Sequence, residues 1–152
     1  MVSGRRPTTQ RLWQPEEHPM KTPPKIGTTL EQTFTVEPKD LIDFASDGMP
    51  PVLCTPALVG FLETTARQAL LPFLDSNEST VGTEIELKHL APTPPGERVV
   101  CRARIICVEG PKITLQLEAR DEHELIARGM HTRHVIQVER FRRVVQRKAA
   151  RP

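Results

Sequence analysis

Residues 54–74 read Cys54-Thr-Pro-Ala-Leu-Val-Gly-Phe-Leu-Glu-Thr-Thr-Ala-Arg-Gln-Ala-Leu-Leu-Pro-Phe-Leu74. Val59, Leu62, Ala66, Ala69 and Leu70 recur there at helical spacing. Thr55 is a favoured N-cap type, Pro56 suits the first helical turn, and Pro72 opposes continuation. The stretch is therefore expected to be the one long helix in the middle of the chain. Glu63 interrupts its pattern. At about 100° per residue it falls about 40° from Val59 and about 20° from Leu70, inside the apolar stripe. A carboxylate carried toward a core is costly unless paired, and burial raises its pKa. Two readings follow: a general base or nucleophile, or a structural Glu hydrogen-bonded to its neighbours.

Outward from the helix, the flanks differ in character. Residues 1–25 are rich in Arg and Pro and lack apolar periodicity, so a loosely docked extension is expected, with Trp13 as its only large anchor. Thr28–Val36 is β-prone, with Leu30 set apart from a Phe34 and Val36 face. Residues 38–45 suit a short helix. Ser46–Pro51 is a loop before the long helix, either a lid over its N-terminus or an ordinary connection.

Beyond the helix, residues 75–80 form a polar connection and four strand-like segments follow. Thr83–Leu90 alternates, with Ile85, Leu87 and His89 on one side; Arg98–Val108 is rich in Val and Ile. Lys112–Arg120 alternates again, and Glu124–Val138 makes a long last strand. Regular spacing and tight turns suggest an antiparallel meander. One long helix over an apolar-faced sheet makes a two-layer α+β domain over residues 26–138. Residues 139–152 are expected to be a basic helix or frayed tail.

Composition narrows the function classes. The net charge of +2 gives no argument for nucleic acid. Three Cys without a CxxC pair argue against a disulfide framework or zinc knuckle, and reduced thiols suit a cytoplasmic protein. No apolar run has the length of a membrane span, and the N-terminus lacks the apolar stretch of a secretory signal.

The polar residues that could carry chemistry are few. His89 lies on the apolar face of its strand, so it and Glu63 would meet between helix and sheet, either as a functional pair or as satisfied core groups. Thr55 offers a hydroxyl, as nucleophile, positioning group or simple cap. The eight-residue step from Thr55 to Glu63 is roughly 12 Å of helical rise, too far for both to touch one atom. Gly82 would allow close approach to a backbone N–H, or is a turn glycine. His131 and His134 point to opposite strand faces, which rejects a metal pair. Arg133 shares a face with Gly129 and His131 and could bind a carboxylate or phosphate, though an exposed Arg is commoner. Cys54 lacks an activating partner and reads as a small hydrophobe. The cations from Arg140 to Arg151 form a solvated face, or one that meets a coenzyme phosphate or nucleic acid.

Four runs in order are Thr55-Pro-Ala-Leu-Val-Gly-Phe-Leu-Glu63, Gly82-Thr-Glu-Ile-Glu-Leu-Lys-His89, Ala91-Pro-Thr-Pro-Pro-Gly96 and Gly129-Met-His-Thr-Arg133. Together they resemble the fluoroacetyl-CoA thioesterase family of hotdog-fold acyl-CoA thioesterases, over about residues 26–147. The resemblance implies a long helix wrapped by a curved antiparallel sheet, and a homodimer with active sites near the subunit interface. It implies catalytic roles for Thr55, Glu63 and His89, and substrate-binding roles for Gly82 and Arg133. An acyl-CoA substrate follows, with no metal and no cofactor beyond the coenzyme A of the substrate, and no nucleic-acid or membrane partner. Met49 stands where that family carries an aromatic lid residue, which separates this chain from the fluoroacetyl pattern. Two alternatives share the fold: a non-catalytic acyl-CoA sensing module, and a dehydratase or hydratase of acyl thioesters.

Overall fold

The long helix, α1, spans Thr55–Leu70 in the computed structural model, which describes Met20 and residues 22–152. Trp13 and most of the expected extension lie outside the described residues. Of its described part, Met20 packs against the core and Pro24 is buried. The N-cap of α1 is Cys54, with an extended backbone and no side-chain cap. Thr55 is thus the first helical residue, and its hydroxyl does not cap the helix. A 3-10 turn at Leu71–Phe73, with Pro72 inside it, ends the helix.

The buried stripe of α1 is Leu58, Leu62, Thr65, Ala66, Ala69 and Leu70. Compared with the expected stripe it is rotated toward Leu58 and Thr65, leaving Val59 at its edge. This rotation corrects the reading of Glu63. Its side chain is 47% exposed and sits on the flank of the stripe. The premise of a desolvated carboxylate therefore fails.

Five strands build one antiparallel sheet: β1 (Thr29–Thr35), β2 (Glu78–His89), β3 (Arg98–Glu109), β4 (Lys112–Arg120) and β5 (Leu125–Gln137). Their order is β1-β3-β4-β5-β2. Only β3, β4 and β5 form the expected meander. The chain carries β2 to the far edge, where it pairs with β5 rather than β3. Strand β2 also starts at Glu78, inside the segment read as polar connection. In β1, Leu30, Gln32 and Phe34 share the half-buried face, so Leu30 is not set apart. The expected short helix after β1 is instead a pair of 3-10 turns, Pro38–Asp40 and Ala45–Asp47.

The core lies between α1 and the sheet. Leu58, Leu62 and Leu70 from the helix meet Ile105, Ile113, Leu115, Leu117 and Ile126, all fully buried. Each such side chain contributes about 1.5–3 kcal/mol by leaving water. The Phe34 and Phe61 rings stack at 4.5 Å. These contacts favour the β1–β3 half of the sheet. Toward the β2 edge the cover thins: Ile105 is 0% exposed, Ile85 39%. This is the hotdog arrangement, with a half-open strip beside its helix.

A β-bulge decides what faces that strip. The β2–β5 register shifts between Gly82 and Glu84, so Gly82 opposes Arg133 while Glu84 opposes Thr132. Thr83 is the extra residue, and its hydroxyl donates to the Thr132 carbonyl at 3.2 Å. A bulge reverses the alternation of the strand beyond it. Thr80 and Gly82 before it, and Ile85, Leu87 and His89 after it, consequently share the face toward α1.

Two further segments frame the helix. The loop after Leu41 returns to its start, through an Ile42 N–H donated to Val52 at 2.9 Å and a Leu41–Leu53 bridge. Cys54 N–H donates to the Asp40 carbonyl at 2.8 Å and Leu53 N–H to Thr93 at 2.9 Å, fixing the entry to α1. The expected basic tail is an ordered helix, α2 (Val138–Ala149), following directly on β5.

Candidate active site

The first turn of α1 meets the end of β2. Thr55 Oγ1 lies 2.8 Å from His89 Nδ1. With the imidazole neutral and Nδ1 bare, the hydroxyl donates and His89 is placed to draw on its proton. Burial holds His89 below the usual histidine pKa, partly offset by the Ala91 backbone nearby. The other ring nitrogen, Nε2, is buried and has no hydrogen-bond partner among the described residues. This imidazole is therefore a neutral base at physiological pH.

The second group lies two turns along the same helix. Glu63 Oε1 accepts from Arg133 Nη1 at 3.0 Å. Arg133 is 3% exposed, and its guanidinium is anchored on every side. Nε donates to Thr80 Oγ1 and Nη2 to the Thr80 carbonyl, both at 2.9 Å, while Nη1 also donates to His131 Nε2 at 3.2 Å. Because an Arg can only donate, His131 Nε2 must be bare. Its Nδ1–H then donates to the Glu84 carbonyl at 2.8 Å. Burial is the main cause that keeps His131 below its ordinary pKa, and the adjacent Arg133 charge adds to it. Burial also lowers Arg133, against the opposing pull of Glu63.

Gly82 completes this end. A Cβ placed there would come within 2.7 Å of Glu63 Oε1 and 3.0 Å of the His131 ring. The Glu63–Arg133 pair occupies the space a side chain would fill, so glycine is needed for this close approach.

The two polar ends are not joined. Glu63 pairs with Arg133 and His89 with Thr55, so the expected Glu63–His89 pair does not form within one chain. The separation expected along the helix is retained. Arg133 departs from the common exposed case; as a buried anchor it positions Glu63, with four of its N–H groups already engaged. Met49 lies on the closed loop at 49% exposure, beside Phe44 at 51%. His131 and His134 do point apart, since His134 Nδ1 lies 3.1 Å from Thr83 Oγ1 on the other face. No group of three metal-ligating side chains is assembled among the described residues. Cys54 is half-buried, and Cys101 sits in the core, where burial pushes its thiol up to about 12.

Sequence reasoning missed two members, Thr80 and His131. Thr80 falls in the segment whose composition reads as a polar connection, yet it lies within β2. His131 enters the sequence only through a rejected metal pair, although its shared face with Arg133 is a period-two signal of their contact.

Comparison with known proteins gives the family. Residues 36–139 match the family described as fluoroacetyl-CoA-specific thioesterase. The fluoroacetyl-CoA thioesterase of Streptantibioticus cattleyicolor is 32% identical over 137 residues, covering 85% of this chain and 97% of the relative. A variant of that enzyme type, solved with fluoroacetate and coenzyme A, superposes with a TM-score of 0.72 at 31% identity, over 77% of this chain and 98% of the other. A hot-dog-like protein from Thermanaerovibrio acidaminovorans shares the fold at a TM-score of 0.77 and 24% identity, over 84% and 94% of the two chains. Sequence and fold converge: the chain belongs to the fluoroacetyl-CoA-specific thioesterase family.

Proposed function

We propose that this chain hydrolyses an acyl-CoA thioester to the free acid and coenzyme A, with Glu63, His89 and Thr55 as its catalytic residues. The observation that carries the reading is the pairing of two distinct poles on one half-open face. One is a carboxylate held by a buried Arg against a side-chain-free Gly82. The other is a neutral imidazole bound to a hydroxyl. Glu63 Oε2 accepts no hydrogen bond from the described residues and is the oxygen available to chemistry. It acts on the acyl carbonyl directly, giving a transient anhydride, or through a water whose proton it takes. His89, neutral at rest, passes to the coenzyme A thiolate a proton released by the water that is consumed, which also opens any anhydride to the free acid, and Thr55 orients substrate or water. Backbone N–H near Gly82 steadies the oxyanion.

The fluoroacetyl preference of the relatives is not carried over to this chain. Met49 offers a flexible thioether where an aromatic lid would stand, and it lies exposed on the loop before α1. A homodimer completes the reading. β2 is a sheet edge with Ile85 exposed beside the site, and such edges are natural pairing surfaces. The catalytic domain spans 26–138, followed by α2 and the tail to 152. Three free cysteines suit a cytoplasmic protein.

Thiol release from a panel of acyl-CoAs tests the reading. Hydrolysis that collapses in both Glu63→Gln and His89→Ala is expected. Saturable acyl-CoA binding without thiol release would favour a sensing module, and hydration of an enoyl thioester would favour a hydratase.

A further inference from the structure

Arg67 stands one turn beyond Glu63 on the exposed flank of α1. Four residues apart, the two lie about 40° from each other around the helix and roughly 6 Å along it. A Glu four residues before an Arg is the favoured order for an ion pair on a helix. That pair does not form here, because the Glu63 carboxylate is turned to Arg133. The other helical neighbours of Arg67 are Thr64, Leu70 and Leu71, none of them acidic. Its guanidinium has no hydrogen bond or ion pair among the described residues. The last turn of a helix favours a cation, which accounts for a positive charge here but not for its setting beside a second one. Burial is the main cause that lowers the Arg133 pKa, Glu63 opposes it, and the Arg67 charge adds to the lowering. This end of the strip thus carries two guanidiniums, Arg67 and Arg133, against the single carboxylate of Glu63.

We propose that Arg67 selects the acyl group: the preferred substrate carries a second carboxylate at the end of a short acyl chain, and Arg67 receives it. The proposal rests on the thioesterase reading and names its substrate class. Three observations select this occupant. The step of roughly 6 Å from Glu63 to Arg67 matches an acyl chain a few carbons long, so a thioester carbonyl at Glu63 leaves the far carboxylate within reach of Arg67. The Thr55–His89 pole lies on the opposite side of Glu63 along the helix, so such a chain runs away from the proton-handling end. An incoming carboxylate cancels the excess positive charge and meets a guanidinium whose fork is unengaged, the geometry suited to bidentate pairing. Arg133 cannot take this part, being buried with four N–H groups already committed. A neutral acyl chain would leave the two like charges uncompensated.

Titration of the full chain with two unreactive analogues, the carboxypropyl thioether of coenzyme A and the butyl thioether of the same length, reads the preference without turnover. The carboxylate-bearing analogue is expected to bind about tenfold or more tightly, the scale of one charge-assisted contact. Arg67→Gln is expected to abolish that ratio and Arg67→Lys to keep part of it. The same ratio is expected in kcat/KM for succinyl-CoA against butyryl-CoA. Equal binding of the two analogues by the unaltered chain overturns the proposal, as does a preference that survives Arg67→Gln. So does an equal loss of both analogues in Arg67→Gln, which would make Arg67 a contact of the coenzyme. A loss that tracks dissociation of a dimer in light scattering also overturns it, since the partner subunit would then supply the anion. An Arg67-dependent preference in a protein that hydrolyses no acyl-CoA would uphold the acyl class while refuting the catalytic reading.

Discussion

The two ends of the proposed catalytic strip are built in opposite ways. Thr55 and His89 share one hydrogen bond at the rim, where the hydroxyl is exposed and nothing further holds it. Glu63 is held by a guanidinium that is itself fixed by Thr80 and His131, all three buried. One pole is therefore held by a single contact and the other is pre-set. That division suits a hydrolase in which a proton must move while a negative charge stays aimed. It also separates function from stability: rim groups can change with little effect on folding, whereas cage groups cannot.

The sharpest way to break the comparison is at the rim. His89→Gln is expected to lower kcat by about 10²–10⁴-fold, the range for a lost general base, with Tm nearly unchanged. A large fall in Tm would mean that His89 is structural. Arg133→Met should differ in kind. It leaves the Thr80 carbonyl and His131 Nε2 buried without donors, at about 1–3 kcal/mol per group. It should also lower kcat by up to about 10²-fold through misplacement of Glu63. Denaturant unfolding together with steady-state kinetics reads both effects. Loss of rate without loss of stability would show that the cage is not what holds Arg133.

Gly82→Ala is a finer probe. The added methyl must displace the Glu63 carboxylate, and a roughly tenfold or greater drop in kcat is expected, with thioester KM less affected. Unaltered kinetics would show that Glu63 does not need its position against β2.

Acid titration sharpens the same contrast at the smallest scale. Both His89 and His131 are held below the histidine value of about 6.5 expected in the unfolded chain. A depressed histidine binds fewer protons folded than unfolded between those two values. Its stabilisation is complete above about 6.5 and declines as pH falls toward the folded pKa. His131→Gln should therefore flatten the acid loss of stability, while His89→Gln should remove the acid limb of the rate profile. Identical effects of both variants on both curves would erase the distinction between the poles.

Much of this plan could be read from residue order, and the exceptions have physical causes. Helix α1 and strand β4 carry clean periodicities and emerged at or near their expected bounds. Thr55, Glu63, His89, Gly82 and Arg133 stood out as intruders or as parts of the four motif runs. Their partners did not. A bulge at Thr83 reverses strand alternation, and no pattern in Glu78–His89 announces that Thr80 and His89 face the same way. Glu63 sits where the apolar stripe meets solvent, so a small rotation of α1 decided between burial and exposure. Its true partner, Arg133, lies on β5, which becomes its neighbour only because β2 crosses to the far sheet edge.

The central claim is that Glu63 and His89 are separate poles serving one thioester. Thiol release from an acyl-CoA by the unaltered chain, Glu63→Gln, His89→Ala and the double variant tests it most directly, with folding checked in each. We predict that each single change abolishes most of the rate, and that the double change costs little beyond the more severe single one, as for groups acting in one reaction. Release at an undiminished rate in either single variant would contradict the account.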